Sequence, residues 1–214
     1  MKSDGSIVVW GGGLGDPPGV EYCNRPSISE RLTPAYTISS RRSEGNHLTF
    51  AYVTWNQDAD GYRLPTDAEW EYACRAGTST AFYNGPITAG DSTRGCVEDP
   101  VLDRISWYCA TSERRTHSVR NSPPNPWGLY DMAGNVREWC WDWYEDLTAE
   151  PKTDPTGPDG GFLRVWRGGG WNYDARHCRC AQKGRDQPDG RYDNVGFRVC
   201  RTVTAQRRIH RKHR

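Results

Sequence analysis

The sequence contains no long apolar run, and this absence excludes a membrane-spanning helix. A span needs roughly 20 consecutive apolar residues, and no stretch of this chain approaches that length. After Met1 and Lys2 the apolar run is only Ile7–Trp10, which is too short for the core of a signal peptide. We therefore expect no membrane span and, by default, a cytoplasmic location.

Net charge is also nearly absent, because 28 Lys and Arg residues face 27 Asp and Glu residues for a formal charge of +1. No global charge therefore recruits nucleic acid, and we do not expect nucleic acid to be a partner. The charge is uneven, since residues 201–214 hold six Lys and Arg residues and no acid. Such a basic end is typical of a solvated tail, which we place at residues 202–214.

Hydrophobic residues are scarce at 35% of the chain, but ten tryptophans and eleven tyrosines are present. Large aromatic rings can supply much of the buried area of a core. At 214 residues the chain has the size of one domain. The 23 glycines and 14 prolines predict many turns and little regular secondary structure.

The eight cysteines show no metal-binding spacing, because the Cys178-Arg179-Cys180 stretch lacks a matching second pair for zinc. In a small secreted chain, eight cysteines would suggest a disulfide framework. Since nothing indicates secretion, we expect buried free cysteines that act as small hydrophobic residues.

Local patterns predict one helix and several strands. Thr66 and Glu69 form a capping box ahead of an apolar face with Trp70, and Gly77 ends the helix. Strand-like pieces lie in Ile38–Trp55. In 139–144 three tryptophans alternate with Cys140, Asp142 and Tyr144, which predicts a strand whose aromatic face packs in the core.

The stretch from Arg164 to Cys200 is bracketed by two further strands. Leu163 and Val165 alternate with polar neighbours at its front, as Phe197 and Val199 do at its back. The residues between them have no helical or strand period and are rich in Tyr, Asp, Arg, His and Asn. A long irregular segment held by strands at both ends is typical of a functional loop, although a solvated loop would read the same way.

Three blocks carry a resemblance to a known family. They are GYRLPTDAEWEYACRAGT (Gly61–Thr78), NPWGLYDMAGNVREWCWDW (Asn125–Trp143), and the series R-G-G-x-W-N, C-R-x-A and G-F-R-V between Arg167 and Val199. This order resembles the formylglycine-generating enzyme family, also called the sulfatase-modifying factor domain. The resemblance implies an α+β, C-type-lectin-like fold with little regular secondary structure over residues 22–201, after an irregular arm at residues 1–21.

The resemblance also bears on catalysis and metals. The family's enzymes oxidise a substrate cysteine with a pair of copper-binding cysteines, but the matching positions here are Tyr173 and a point near His177 or Cys178. We therefore expect no copper and no such oxidase activity. A structural calcium site of the family matches four positions, two as carboxylates and two as backbone carbonyls: Asp131, Gly134, Val136 and Glu138.

One branch of the family, the variable proteins of diversity-generating retroelements, is most similar to the last block. There a reverse transcriptase mutates adenines, so that Asn codons of type AAC come to encode many residues; Tyr, Asp, His, Gly and Arg are reachable, whereas Gln is not. The resemblance implies a ligand-binding surface within residues 171–194, with an unknown protein or other macromolecule as partner. Its predicted contact residues are Trp171, Tyr173, Asp174, Arg176, His177, Gln182, Gly184, Arg185, Asp186, Gln187, Asp189, Tyr192, Asp193 and Asn194.

Two alternatives stay open: a divergent copper- or iron-dependent oxidoreductase, and a non-catalytic scaffold domain. A binding surface that varies must not depend on its variable side chains for stability, so the residues around it should form the core. We expect the following to be mostly buried: Trp166, Trp171, Cys178, Ala181, Phe197 and Val199. We expect one exposed face with Tyr173, Asp174, Arg176, His177, Arg185, Asp186, Tyr192 and Asp193.

Overall fold

This computed structural model describes residues 7–8, 33–44, 47–90 and 95–202. They belong to two compact units. The first comprises 7–8, 33–44, 47–63 and 199–202, and the second comprises 64–90 and 95–198. Most of the predicted arm at 1–21 and nearly all of the predicted basic tail lie outside the described residues.

One α-helix, nine strands and two short 3-10 helices, at Leu102–Arg104 and Ala175–Cys178, make up the regular structure of the described residues. Helix α1 spans Asp67–Arg75. The strands are β1 (Ile7–Val8), β2 (Tyr36–Glu44), β3 (His47–Trp55), β4 (Tyr62–Arg63), β5 (Arg137–Trp143), β6 (Arg164–Arg167), β7 (Lys183–Asp186), β8 (Val195–Phe197) and β9 (Val199–Arg201). Within these residues, no helix has both the length and the apolar character needed to cross a lipid bilayer.

The first unit contains two small antiparallel sheets. Strands β2 and β3 pair over their whole length, with irregularities after Ile38 and Arg42, and they confirm the predicted strand-like pieces. The second sheet has the order β1-β9-β4. Arg63 lies inside this unit, where its Nη1 donates to Cys200 Sγ at 2.9 Å and its guanidinium carbon lies 4.9 Å from the Trp55 ring centroid.

The second unit is built on a four-stranded sheet of order β7-β6-β5-β8. Strand β6 is antiparallel to both β5 and β7, whereas β8 runs parallel to β5. Helix α1 packs against β5 and β6. The helix begins and ends as its sequence predicts: Thr66 Oγ1 accepts from Glu69 N, and Glu69 Oε2 accepts from Thr66 N at 2.9 Å. Trp70, Ala73 and Cys74 are fully buried.

Inward- and outward-facing residues alternate along β5 as predicted, but the prediction that its tryptophans face the core is wrong. Glu138, Cys140 and Asp142 face the interior, whereas the three tryptophans of the strand are only half-buried. Trp141 and Trp143 are covered on that side by Arg164, whose guanidinium carbon lies 4.5 and 3.7 Å from their ring centroids. The inward acids are accommodated because Glu138 pairs with the buried guanidinium of Arg198 and Asp142 accepts from the start of helix α1.

The expectation that every cysteine is free is wrong for one pair. Cys96 and Cys109 form a disulfide across a sequence separation of 13 residues, with Cα atoms 5.8 Å apart. This distance lies in the range that a disulfide requires, and the loop between the two residues brings them together. Five other cysteines are free and buried as expected: Cys74, Cys140, Cys178, Cys180 and Cys200.

Candidate ligand-binding surface

Regular structure interrupts the segment 171–194, which the sequence predicted to be an irregular loop. A 3-10 helix spans Ala175–Cys178, and Asp174 caps it by accepting from Arg176 N at 2.9 Å. Strand β7 then joins the segment to the sheet, with Val165 opposite Arg185 and Trp166 opposite Gly184. The middle of the segment is therefore held on a framework of backbone hydrogen bonds.

Arg137, at the start of β5, lies at the centre of this segment, and the sequence reasoning missed it. Its guanidinium carbon lies 4.8 Å from the ring centroid of Trp166 and 5.4 Å from those of Tyr173 and Tyr192. The Arg137 side chain is only 7% exposed. Three aromatic rings thus surround one cation, an arrangement in which the ring faces attract the charge. The only local signal was a charged residue at the start of a strand rich in tryptophan.

Polar groups hold Arg137 from a second direction. Its Nη2 donates to Asn194 Oδ1 at 2.8 Å, and its Nη1 lies 3.7 Å from Asp186 Oδ2. Asn194 also donates to Asn172 Oδ1 at 3.0 Å and is buried. The prediction that Asn194 is a surface contact residue is therefore wrong, because its amide is occupied in fixing Arg137.

The structure also corrects the prediction that position 184 belongs to the variable surface. A Cβ atom on this glycine would lie 2.1 Å from Cζ2 and 2.4 Å from Cε2 of Trp166, well inside van der Waals contact. The backbone of β7 thus lies directly on the indole ring of Trp166, which is buried. No side chain can be added at position 184 without displacing this indole.

Tyr173, Asp174 and His177 form a half-buried cluster beside Arg137. The ring centroids of Tyr173 and His177 are 5.1 Å apart, and His177 Nδ1 lies 3.0 Å from Asp174 Oδ1. Burial alone would raise the pKa of Asp174, but hydrogen bonds from Arg176 and His177 outweigh it and lower that pKa below its ordinary value. The Asp174 carboxylate is therefore charged and engaged within the cluster.

The remaining predicted residues form the outer part of the surface. Trp171, Gln182 and Asp186 are half-buried. Six side chains are exposed, and we call them the rim: Arg176, Arg185, Gln187, Asp189, Tyr192 and Asp193. The prediction of one uniformly exposed face is thus too broad, because the rim side chains are exposed whereas Tyr173, Asp174, His177 and Asp186 are half-buried.

The predicted core around this surface is correct in part. Trp166 and Cys178 are buried, and Trp171 and Val199 are half-buried. Ala181 is exposed, because Cys180 before it turns inward and lies 3.3 Å from Cys74, sulfur to sulfur. Phe197 is 48% exposed, because the next residue, Arg198, occupies the interior. The prediction of burial is therefore wrong for Ala181 and Phe197.

Both carboxylates among the four predicted calcium ligands already accept hydrogen bonds from the protein. Both carboxylate oxygens of Glu138 are engaged by Arg198, and Oε2 also accepts from Trp70 Nε1 at 2.7 Å. Asp131 Oδ2 accepts from Arg120 N at 2.7 Å. Gly134 lies against Ser106 and Trp107, where an added Cβ would be 2.2 Å from Ser106 Oγ. These contacts do not fit Glu138 as a ligand, because an ion would have to displace Arg198.

Calcium binding stays a prediction, and thermal melting with and without a chelator tests it. An ion that binds only the folded chain stabilises it by about 2.7 kcal/mol at a hundredfold excess over its Kd. The prediction is a lower Tm in EDTA than in calcium; the same Tm in both, as the ion pair of Glu138 with Arg198 would favour, would contradict it. A lower Tm in EDTA that Asp131→Ala abolishes would instead establish calcium at this loop.

The cysteines of this region are interior groups. Burial raises the pKa of the Cys178 thiol to about 12, so it stays protonated. Cys74 and Cys180 contact each other inside the unit. The first position that matches a copper-binding cysteine of the family is Tyr173, and the second falls near His177 or Cys178.

The family model described as the sulfatase-modifying factor enzyme 1-like domain matches residues 20–203. The chain belongs to this family. The short α-helix and small sheets of the described residues agree with the expected α+β fold, and the C-type-lectin-like class is confirmed.

Individual relatives place this sulfatase-modifying factor domain among several kinds of protein. It is 34% identical over 195 residues to the chaperone protein LppX of Paenibacillus barcinonensis, covering 86% of this chain and 66% of that protein. It is 36% identical over 160 residues to the formylglycine-generating enzyme of Streptomyces coelicolor, covering 69% of this chain and 50% of the enzyme. The chain thus spans half to two thirds of the length of these relatives.

One solved structure that is similar to this chain is that of a variable protein. Treponema denticola variable protein 1 superposes with a TM-score of 0.64 and 30% sequence identity, covering 80% of this chain and 63% of that one. The predicted resemblance of this sulfatase-modifying factor domain to variable proteins is confirmed at the level of fold and sequence.

Proposed function

We propose that this chain is a ligand-binding variable protein of a diversity-generating retroelement. Its rim contacts a protein or other macromolecular ligand, and the chain has no catalytic role of its own. The observation that carries the proposal is the division between an exposed rim and a base that is fixed beneath it by Arg137, Trp166 and Asn194. The similarity to a variable protein of Treponema denticola supports the same function.

Because of this division, the residues that stabilise the fold are different from the residues that we propose to contact the ligand. Surface substitutions usually change the free energy of unfolding by no more than about 0.5 kcal/mol, so rim residues can vary without unfolding the protein. Truncation of a buried Trp such as Trp166 typically costs about 3 to 5 kcal/mol. A repertoire of ligands can therefore be served by changing the rim alone.

The present rim already suits protein recognition. It contains Tyr192 and two arginines, and both residue types are enriched among the side chains that dominate binding energy at interfaces. Asp189 and Asp193 add adaptable hydrogen-bond acceptors. Five of the six rim residues are of the types that adenine changes in an AAC codon produce, and Gln187 is the exception.

Sequencing of this coding region across a population of the source organism tests the proposal. We expect substitutions concentrated at adenine positions in the codons of the rim, and unchanged codons for Arg137 and Trp166. A reverse transcriptase gene beside a near-copy of the 3′ coding segment should accompany this pattern. Variation spread evenly over all codons, with no such gene nearby, would contradict the proposal.

The enzyme alternative has its own decisive assay, because relatives of this chain include formylglycine-generating enzymes. The purified protein is incubated with Cu(I), oxygen and a peptide containing Cys-x-Pro-x-Arg, and the peptide mass is measured. We expect an unmodified peptide. Conversion of its cysteine to an aldehyde would replace the binding proposal with a catalytic one.

A further inference from the structure

A cavity of about 230 Å³ lies in the second unit, between the start of helix α1, the end of β5 and the connector at 145–157. Asp142 forms part of its wall, and so do the apolar side chains Trp143, Leu147 and Val165. The connector closes over Asp142 at Gly157, where an added Cβ would lie 2.8 Å from Asp142 Cβ. A space of this size accommodates a small organic molecule.

The basic groups that line this cavity are already neutralised. Arg167 is ion-paired with Asp67 and, at 3.0 Å, with Glu71. Lys183 Nζ lies 3.4 Å from Asp67 Oδ2, and Lys152 is paired with Glu145. Of the wall carboxylates, Glu71 also pairs with Arg75 and Asp146 lies 3.9 Å from Arg185, so within the described residues Asp142 and Glu150 are the two without an ion pair.

Asp142 is the buried one of these two residues. It is 4% exposed, and its Oδ2 accepts from Asp67 N at 2.8 Å. Across the described ranges it makes no ion pair with a Lys, Arg or His side chain. A buried carboxylate without a cation is costly to keep charged. A cation bound in the cavity that Asp142 lines would reduce this cost.

We propose that this cavity binds a small aliphatic ammonium ion. The ammonium group supplies the cation that Asp142 lacks, and the methylene chain packs on Trp143, Leu147 and Val165. Two sources share this chemistry, a free alkylamine and the lysine side chain of another protein. No rim residue lines this cavity, so failure of the proposal would leave the proposed ligand-binding function unaffected.

Protonation of Asp142 couples to this binding. Burial above all, and then the charges of Asp67 and Glu69, raises the pKa of Asp142 to about 7. A bound cation favours the charged carboxylate and so lowers that pKa, which releases a proton on binding. The other charged groups at the cavity wall are Asp67, Glu71, Glu145, Asp146, Glu150, Lys152, Arg167 and Lys183.

Isothermal titration calorimetry with cadaverine tests the proposal, in two buffers that differ in ionisation enthalpy. We expect one site per chain, release of about half a proton per cadaverine at pH 7, and almost none at pH 9. Nα-acetyl-lysine methylamide forms the second arm. Tighter binding of the capped lysine would identify a protein side chain as the source, and tighter binding of cadaverine would identify a free amine.

Asp142→Asn is the matched variant, because its amide oxygen can still accept from Asp67 N and a buried charge is removed. We expect it to bind cadaverine at least tenfold more weakly without proton release, while Glu150→Gln changes the Kd by less than about threefold. A melting curve at pH 8 checks that the variant is folded. Absence of binding by the wild type, equal affinity of wild type and Asp142→Asn, or tighter binding of CaCl₂ than of cadaverine would overturn the proposal.

Discussion

Replacing Glu138 with alanine is expected to lower the free energy of unfolding by about 3 to 5 kcal/mol, because it leaves a buried guanidinium without its anion. Arg198 is completely buried, and its Nη2 donates to Glu138 Oε1 at 2.7 Å. The same guanidinium keeps only weaker bonds to the carbonyl oxygens of Tyr130 and Asp131, at 3.3 and 3.2 Å. Trp70 Nε1 would also lose its acceptor.

Urea denaturation at pH 7 measures this loss, and a surface pair provides the control. Glu113 and Arg115 form an ion pair at 2.8 Å with both side chains well exposed, so Glu113→Ala should leave the denaturation midpoint unchanged. A double variant, Glu138→Leu with Arg198→Met, should be more stable than Glu138→Leu alone, because no charge stays buried. Equal loss in the single and double variants would show that the pair is not the cause.

The same measurement in EDTA separates the ion pair from a calcium effect. If Glu138 acts through Arg198, the loss caused by Glu138→Ala is the same in calcium and in EDTA. If it acts through a metal, the loss disappears in EDTA, because the wild type is then already without its ion. The two explanations therefore predict different results from one set of curves.

Replacing Gly184 with alanine is expected to destabilise the second unit by at least about 2 kcal/mol, because one methyl group cannot fit above the Trp166 indole. The added Cβ would lie 2.1 Å from a ring atom. Trp166 cannot move aside freely, since it is buried and lies 4.8 Å from the guanidinium of Arg137. Relief of the clash would therefore disturb the base of the proposed binding surface.

A double-mutant cycle with Trp166→Ala identifies the clash as the cause. In the Trp166→Ala background, Gly184→Ala should cost much less than in the wild type, because the ring atoms it would meet are gone. Gly160→Ala is the matched control, since nothing lies within 4 Å of an added Cβ there. If Gly184→Ala were neutral in the wild type, position 184 would return to the set of residues free to vary.

Local rules explain the parts of the structure that the sequence predicted well. Helix α1 has its capping box, its apolar face and its end within a dozen consecutive residues, so neighbouring residues alone determine it. The strands β3, β5 and β6 likewise follow from alternation over short stretches. The three sequence blocks of the sulfatase-modifying factor family determined the fold class, because they span most of the chain in one order.

Which face of a strand points into the core, in contrast, was decided by the tertiary structure. A period of two shows that a strand has two faces, but it does not show which one turns inward. In β5 and at Phe197–Arg198 the polar face is the inner one, because Glu138 and Arg198 meet across 60 residues of sequence and neutralise each other. A pattern of apolar residues contains no information on such a distant partner.

The candidate site also depends on contacts between distant residues that the sequence pattern did not predict. The sequence by itself determined which segment we propose to bind a ligand and which residue types that segment offers. Only the tertiary structure placed Arg137 among three aromatic rings, buried Asn194 against it, and brought the backbone at Gly184 onto Trp166. Each of these contacts joins residues that are distant in sequence, so their desolvation and steric costs arise only when the sheet has formed.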